Sequence, residues 1–276
     1  MICRPFPKLP QSFLKKYGNP ILKIRSFGTS KQDLDVDFPD SRPVMITEVI
    51  RACTVTGNSD KLDSEFFWDM SLGKRIECLF NIATEENSNE VPFELRCGNP
   101  NCEKPMDVTI TSYEIAKMQS NIDQIEITLP IGNSTDNYFF RLPTGSDQRK
   151  WMKESASSSD GEIEKAIIKS LWVQKPGQEL PLDELSIHKI GEELKSHDPL
   201  VDFKLTTFCP YCNFEFCPKL NLEKLLINQL SDIKDNLISH VHQLARVYHW
   251  REDWIVKIPK ARRQEYLSLI QRAAYA

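Results

Sequence analysis

Eight cysteines in a chain of 276 residues set the first chemical question. Four of them fall in two close pairs. Cys97 and Cys102 flank the turn CGNPNC, and Cys209 and Cys212 flank CPYC. A turn with two to four residues between its cysteines lets both sulfurs face one point, and zinc takes four thiolates tetrahedrally at about 2.3 Å each. The pairs lie about a hundred residues apart, which a metal clasp tolerates because loop-closure entropy grows slowly with length. Two other readings stay open at this level. CPYC has the spacing of a redox dithiol, although such motifs open a helix and the NFEF that follows reads as strand. The four thiols could also pack without any ligand. Cys217 lies on the exit strand as a spare ligand or a packed thiol, and Cys3, Cys53 and Cys78 have no paired spacing. A closed four-sulfur set leaves no open position for substrate, so the expectation is structural zinc without metal catalysis.

Other catalytic signatures are missing from the sequence. The five histidines do not cluster, and His240 and His242 fall on different sides of one helix. No GxSxG, HExxH or P-loop pattern occurs, and PTGSD at 143–147 is too short for a phosphate loop. A zinc hydrolase would need an open metal position and a general base, and neither is found. The chain is therefore expected not to be an enzyme and to have no small-molecule substrate. Its net charge is −4, against the basic balance of a duplex-binding protein. No apolar run is long enough to span a bilayer, and MICRPFPKLP lacks the apolar core of a signal peptide. These features predict a soluble chain made in the cytoplasm, where cysteines are metal-bound or free more often than disulfide-paired.

The elements that must position the cysteines can be read from periodicity. Residues 1–44 hold scattered prolines and charges without a sustained period, and are expected to form an extended, partly disordered arm. VMITEVIRACTV, from Val44, is apolar enough for helix or strand. Threes and fours predict a helix over 71–82. VPFELRC and MDVTITS alternate on either side of the first cysteine turn, giving a hairpin with Val91, Phe93, Leu95, Cys97, Val108 and Ile110 inward. DQIEITLP, the loop IGNSTDN and YFFRLP predict a second hairpin. Thr144 or Ser146 is available to cap a helix after it. A polar loop is expected at 155–161, then helices at 161–173, with Ile163, Ala166, Ile167 and Leu171 on one face, and at 182–195. DFKLTTFC and NFEF frame CPYC as another cysteine hairpin. From Asn221, the natural N-cap, apolar residues at 222, 226, 230, 233, 237, 241, 244 and 248 predict one long amphipathic helix. A short turn and a final helix, with Pro259 at its first position, end the chain. The fold class is α+β: two cysteine hairpins forming a split zinc ribbon, an inserted hairpin and helical region, and a C-terminal helical segment. The expected divisions are 1–44, 45–220 and 221–276.

Taken in order, several segments resemble a family of contractile-tail baseplate proteins. WDMSLGKRIECLFNIA resembles that family's tryptophan-leucine-arginine segment, and RCGNPNC, FRLPTGSD, CPYC and NLEKLLINQLSDIKDNLISHVHQLARVYHW follow in the family's order. The ending WREDWIVKIPKARRQEYLSLI is the closest likeness. The family includes small baseplate hub proteins of T-even-like phages and relatives in extracellular contractile injection systems. The resemblance spans about residues 60–272. It implies a non-enzymatic role in forming or assembling a baseplate hub, with hub, spike or wedge proteins as partners. It places the family's cysteines on Cys97, Cys102, Cys209 and Cys212. The first turn departs from the more usual C-x2-C, and the N-terminal arm has no counterpart. The implied location is the cytoplasm during assembly, with the finished particle as its alternative. Trp250, Trp254, Arg262, Arg263 and Tyr266 are the candidate partner-binding residues, because the C-terminal turn and helix are basic in an acidic chain. A solvated basic face explains the same charges. A zinc-ribbon regulator that binds nucleic acid through this helix and its tryptophans is the competing function.

Overall fold

A computed structural model describes residues 3–38, 42–57, 62–85, 88–118, 122, 124–131, 134–154 and 160–274. The chain is α+β, with eleven helices and four small antiparallel sheets among those residues. The N-terminal segment is not an extended arm. It forms β1 (Cys3–Pro5), α1 (Gln11–Lys16) and β2 (Leu22–Arg25), and then a single 3-10 turn. Leu9, Ile24, Phe27 and Val36 are buried, and Phe13 and Tyr17 pack their rings against Phe66 at 5.2 and 5.1 Å. The expectation failed because these apolar residues dock one at a time at irregular spacing, which leaves no period to read. Arg25 and Asp33 form a buried bidentate ion pair, and Asp33 also accepts the N–H groups of Gly28, Thr29 and Ser30. The 28–30 turn is fixed by that carboxylate, and Gly28 supplies the positive φ it requires.

The ambiguous stretch from Val44 is both helix and strand. It forms α2 (Arg42–Cys53), then β3 (Thr54–Thr56), which pairs with β2 and completes the sheet β1-β2-β3. The division expected after residue 44 falls inside α2. Next come α3 (Ser64–Asp69) and α4 (Leu72–Ala83), which matches the helix read at 71–82. Nearly every residue of α4 is buried, so its charged side chains must find partners inside. Lys74 pairs with Glu77 at 3.0 Å. Arg75 donates to the carbonyls of Phe67 and Pro43 and to the Thr47 hydroxyl, with its guanidinium over the Trp68 ring. Burial brings the Arg75 pKa down to about 10.

The first cysteine hairpin is β4 (Glu90–Arg96) and β5 (Pro105–Thr111), paired from Glu90–Thr111 to Arg96–Pro105. It is followed by α5 (Ser112–Lys117), which opens on a capping box of Thr111 and Glu114. The second hairpin is β6 (Ile125–Ile131) and β7 (Ser134–Phe140), so the return strand starts before YFF, within the stretch read as loop. Then come α6 (Gly145–Glu154), α7 (Asp160–Leu171) and α8 (Glu184–His197). Thr144 caps α6 by accepting from the Asp147 N–H. Residues 155–159 of the expected polar loop lie outside the described residues. In α7, Ile168 and Leu171 are buried and Ala166 is exposed, a shift of the expected face. Ile125, Ile127, Leu129, Tyr138 and Phe140 build a second core with Ile168, Leu171, Ile187 and Ile190.

The strands around CPYC are short: β8 (Thr207–Phe208) and β9 (Glu215–Phe216). The long helix is α9 (Leu222–Tyr248), capped by the Asn221 side chain as read from sequence. Leu222, Leu226, Ile227 and Leu230 lie in the main core with α2 and α4, so the division expected after residue 220 does not separate α9 from that core. The expected final turn is helical, α10 (Glu252–Lys257), and α11 (Lys260–Ala274) ends the described chain, with Pro259 just before it. The far end of α9 forms a smaller core with α10 and α11 around Leu244, Ile255 and Leu267.

One contact carries a test. Asp198, after α8, accepts the Gly73 N–H and caps α4 from across the molecule. A Cβ on Gly73 would fall 1.8 Å from Asp198 Oδ1. Gly73→Ala should cost about 2–3 kcal/mol of stability by urea unfolding. Burial raises the Asp198 carboxyl from 3.8 to about 6, with the Gly73 N–H opposing it. The fold favours the protonated acid, so this contribution is full below the unfolded value and is lost as pH rises through about 6. Asp198→Asn should flatten the stability–pH curve between those values.

Candidate metal centre

The two cysteine turns share a local geometry that follows from their closing bonds. Cys97 N–H donates to the Lys104 carbonyl, and Cys209 N–H donates to the Phe214 carbonyl. In each turn the residue after the second cysteine has a positive φ, 45° at Glu103 and 56° at Asn213. Each of those residues closes the turn through its own N–H, Glu103 to Asn99 O and Asn213 to Cys209 O. A positive φ in a non-glycine side chain is held only where neighbouring bonds demand it. Here it folds each chain back so that both sulfurs of a turn point the same way.

The four sulfurs converge. Cys97, Cys102, Cys209 and Cys212 have Sγ atoms all within 4.8 Å of one another. Two pairs meet across the hairpins, Cys97 to Cys212 at 3.6 Å and Cys102 to Cys209 at 3.9 Å. A disulfide would need about 2.05 Å. A tetrahedron with metal–sulfur bonds of about 2.3 Å has edges of about 3.8 Å. The spacing therefore suits a tetrahedral metal ion held by four thiolates. Cys97 and Cys209 are buried, Cys102 is half-buried and Cys212 is exposed at the rim.

Backbone donors surround the sulfurs. Asn99 N–H points at Cys97 Sγ at 3.4 Å, and the Asn99 side-chain amide reaches Cys212 Sγ across the junction at 3.9 Å. Burial acts to raise the Cys209 thiol, but the N–H groups of Tyr211 and Cys212 overcome it and hold the pKa near 7. Burial pushes Cys97 up to about 12, against the Asn99 N–H. Gly98 lets the hairpins close: a Cβ there would meet the Phe216 ring at 3.0 Å. Lys104 lies over the Tyr211 ring, a second contact between the hairpins. Asn99, Gly98 and Phe216 were not singled out as functional in the sequence. Asn99 and Gly98 were read as turn residues, and their second role appears only when the hairpins meet.

The remaining cysteines stand apart. Cys217 is exposed beside the Thr206 hydroxyl, and Cys53 and Cys78 are buried with thiols raised by burial. The candidate partner-binding residues divide. Trp250 stacks on Tyr248 at 4.7 Å and meets Tyr266 edge-on, so Trp250 and Tyr266 belong to the small C-terminal core. Arg263 is also no surface residue: it is 6% exposed and donates to the Val256 carbonyl. Trp254 is 60% exposed and Arg262 is exposed, so these two remain accessible to a partner. Helix periodicity alone did not separate 262 from 263 because the angle of α11 against α9 decides which one points inward.

Comparison with protein-family models, curated proteins and solved structures returns no match for this chain. Among the described residues, no helix is long and apolar enough to cross a membrane.

Dialysed protein should retain one metal ion per chain by elemental analysis. Cys209→Ser should lose the ion and melt at lower temperature, since metal binding at such a site is coupled to folding. Cys217→Ser should change neither. Full metal retention in Cys209→Ser would remove the four-thiolate assignment.

Proposed function

We propose that this chain is a non-enzymatic structural or assembly protein of the baseplate hub of a contractile phage tail or injection system, with structural zinc in the four-cysteine cluster. The observation that carries the structural half is the convergence of four sulfurs from two hairpins more than a hundred residues apart. Four thiolates fill a tetrahedral ion and leave no site for substrate or water. Zinc suits the role because it is redox-inert and readily takes four sulfur ligands.

The baseplate half rests on the ordered resemblance of WDMSLGKRIECLFNIA, the two cysteine turns, FRLPTGSD and the C-terminal stretch. Two of these segments interlock. Leu72 N–H donates to the Pro143 carbonyl, Gly145 N–H donates to the Met70 carbonyl, and Arg149 lies over the Trp68 ring. Trp68, Leu72 and Arg75 thus act together in one junction, which gives the shared segment a physical reason to be retained as a unit. Trp254 and Arg262 offer an exposed aromatic and cationic pair for an acidic partner surface.

Affinity purification from lysate in which contractile particles are assembling should recover hub, spike or wedge proteins with this chain. The double variant Trp254→Ala, Arg262→Ala should recover at least tenfold less while keeping its metal. Recovery of none of these proteins, or salt-sensitive gel-shift binding to DNA, would overturn the reading in favour of a nucleic-acid regulator.

A further inference from the structure

The four sulfurs of the cysteine cluster are not equally reachable. Cys97 and Cys209 are 4% and 0% exposed, Cys102 is half-buried, and Cys212 alone of the four is exposed. A reagent arriving from solvent therefore meets Cys212 first. Across the junction, Cys97 Sγ of the other hairpin lies 3.6 Å from the Cys212 sulfur. Asn99 touches both, with its backbone N–H 3.4 Å from Cys97 Sγ and its side-chain amide 3.9 Å from Cys212 Sγ. One residue of the CGNPNC turn thus holds a buried sulfur and an exposed one side by side.

That juxtaposition has a chemical use. An accessible sulfur with a second sulfur poised beside it is the arrangement in which thiol oxidation ends in a disulfide and stops short of the irreversible acids. The pair must close from 3.6 Å to about 2.05 Å to form the bond. Cys217 is exposed as well, but it lies outside the four-sulfur cluster, beside the Thr206 hydroxyl. It can meet an oxidant but is not placed with the four sulfurs.

We propose that Cys212 is a site of oxidation by hydroperoxides, that Cys97 resolves it across the hairpin junction, and that the metal ion leaves as the disulfide forms. This rests on the zinc reading of the cluster and does not depend on the baseplate reading. The Cys212 thiolate attacks one peroxide oxygen; an S–O bond forms, the O–O bond breaks, and hydroxide leaves and takes a proton to become water. The Cys97 thiolate then attacks the Cys212 sulfur; the S–S bond forms, the S–O bond breaks, and a second hydroxide leaves as water with a second proton from solvent. Each cysteine gives up one electron, and the peroxide takes two. The ion loses two of its four ligands and is released. Because Cys97 and Cys212 are 115 residues apart, the new bond closes a long loop and keeps the two turns joined without metal. A Cys209–Cys212 bond inside CPYC would join nothing beyond its own turn.

The test treats the full, metal-loaded chain with hydrogen peroxide, follows metal release with a chromogenic chelator and maps disulfides on unreduced peptides. One ion should leave per disulfide formed, and that disulfide should join the Cys97 peptide to the Cys212 peptide. Cys217→Ser should release metal within twofold of the wild-type rate. The oxidised, metal-free chain should melt at a higher temperature than the reduced chain stripped by a chelator. A chain that holds no metal when purified overturns the zinc reading, and metal release falls with it. A chain that holds metal but couples Cys209 to Cys212, releases metal without the Cys97–Cys212 bond, needs Cys217 for release, or melts no higher when oxidised than when stripped overturns this proposal and leaves the zinc reading standing.

Discussion

A buried cation with no direct ion pair among the described residues organises the centre of this protein. Arg75 sits on a helix buried on nearly all sides, and its two terminal nitrogens are held by carbonyls and a hydroxyl, with an aromatic face over the guanidinium. Those acceptors belong to the start and middle of α2 and to α3, so one side chain sets where two other helices lie relative to α4. Truncating it would leave the Phe67 and Pro43 carbonyls buried without that donor, and the desolvation penalty of such groups commonly exceeds the net value of the bond itself. Gly145 is tied to the same constraint, since a Cβ there would meet the guanidinium at 2.6 Å. Arg75 in α4 and Gly145 at the start of α6 therefore constrain each other.

The cysteine cluster works by a different physical route. It joins the turn ends of two hairpins, where Met106 is the hydrophobic side chain buried beside the sulfurs, while Val91 and Ile110 at the far end of the first hairpin lie in the main core. Two-stranded hairpins are marginal in water unless something holds them. A cross-link that closes a loop of about a hundred residues removes on the order of 4–5 kcal/mol of denatured-state entropy. That is comparable to a sizeable fraction of a typical domain's net stability. The segment between the pairs carries its own core around Tyr138 and Phe140, so the clasp has to hold only the hairpins together.

The parts legible in the sequence were those governed by local periodicity. Helix α9, its Asn221 cap, the β4–β5 alternation and the two cysteine turns follow from spacing alone. The N-terminal segment did not, because Phe13 and Tyr17 pack on Phe66 and Phe27 is buried by partners far away in sequence. The cysteines as candidate metal ligands could be read from residue type and turn length, whereas the Asn99 amide reaching Cys212 depends on how two hairpins meet. Arg263 shows the sharpest limit. Its neighbour Arg262 has the same chemistry and the same helix, and only the packing of α11 against α9 makes one a buried group and the other a surface charge.

The wide separation of the two cysteine turns also has a consequence for biosynthesis. A ribosome adding about 5–20 residues per second needs roughly 5–20 seconds to travel from the first turn to the second. During that interval Cys97 and Cys102 are a half-site with two of the four sulfurs. A four-sulfur cluster can be completed only once the CPYC turn has left the ribosome and met the first hairpin. The order of the turns along the chain makes assembly of the four-cysteine cluster a late step in the maturation of the molecule.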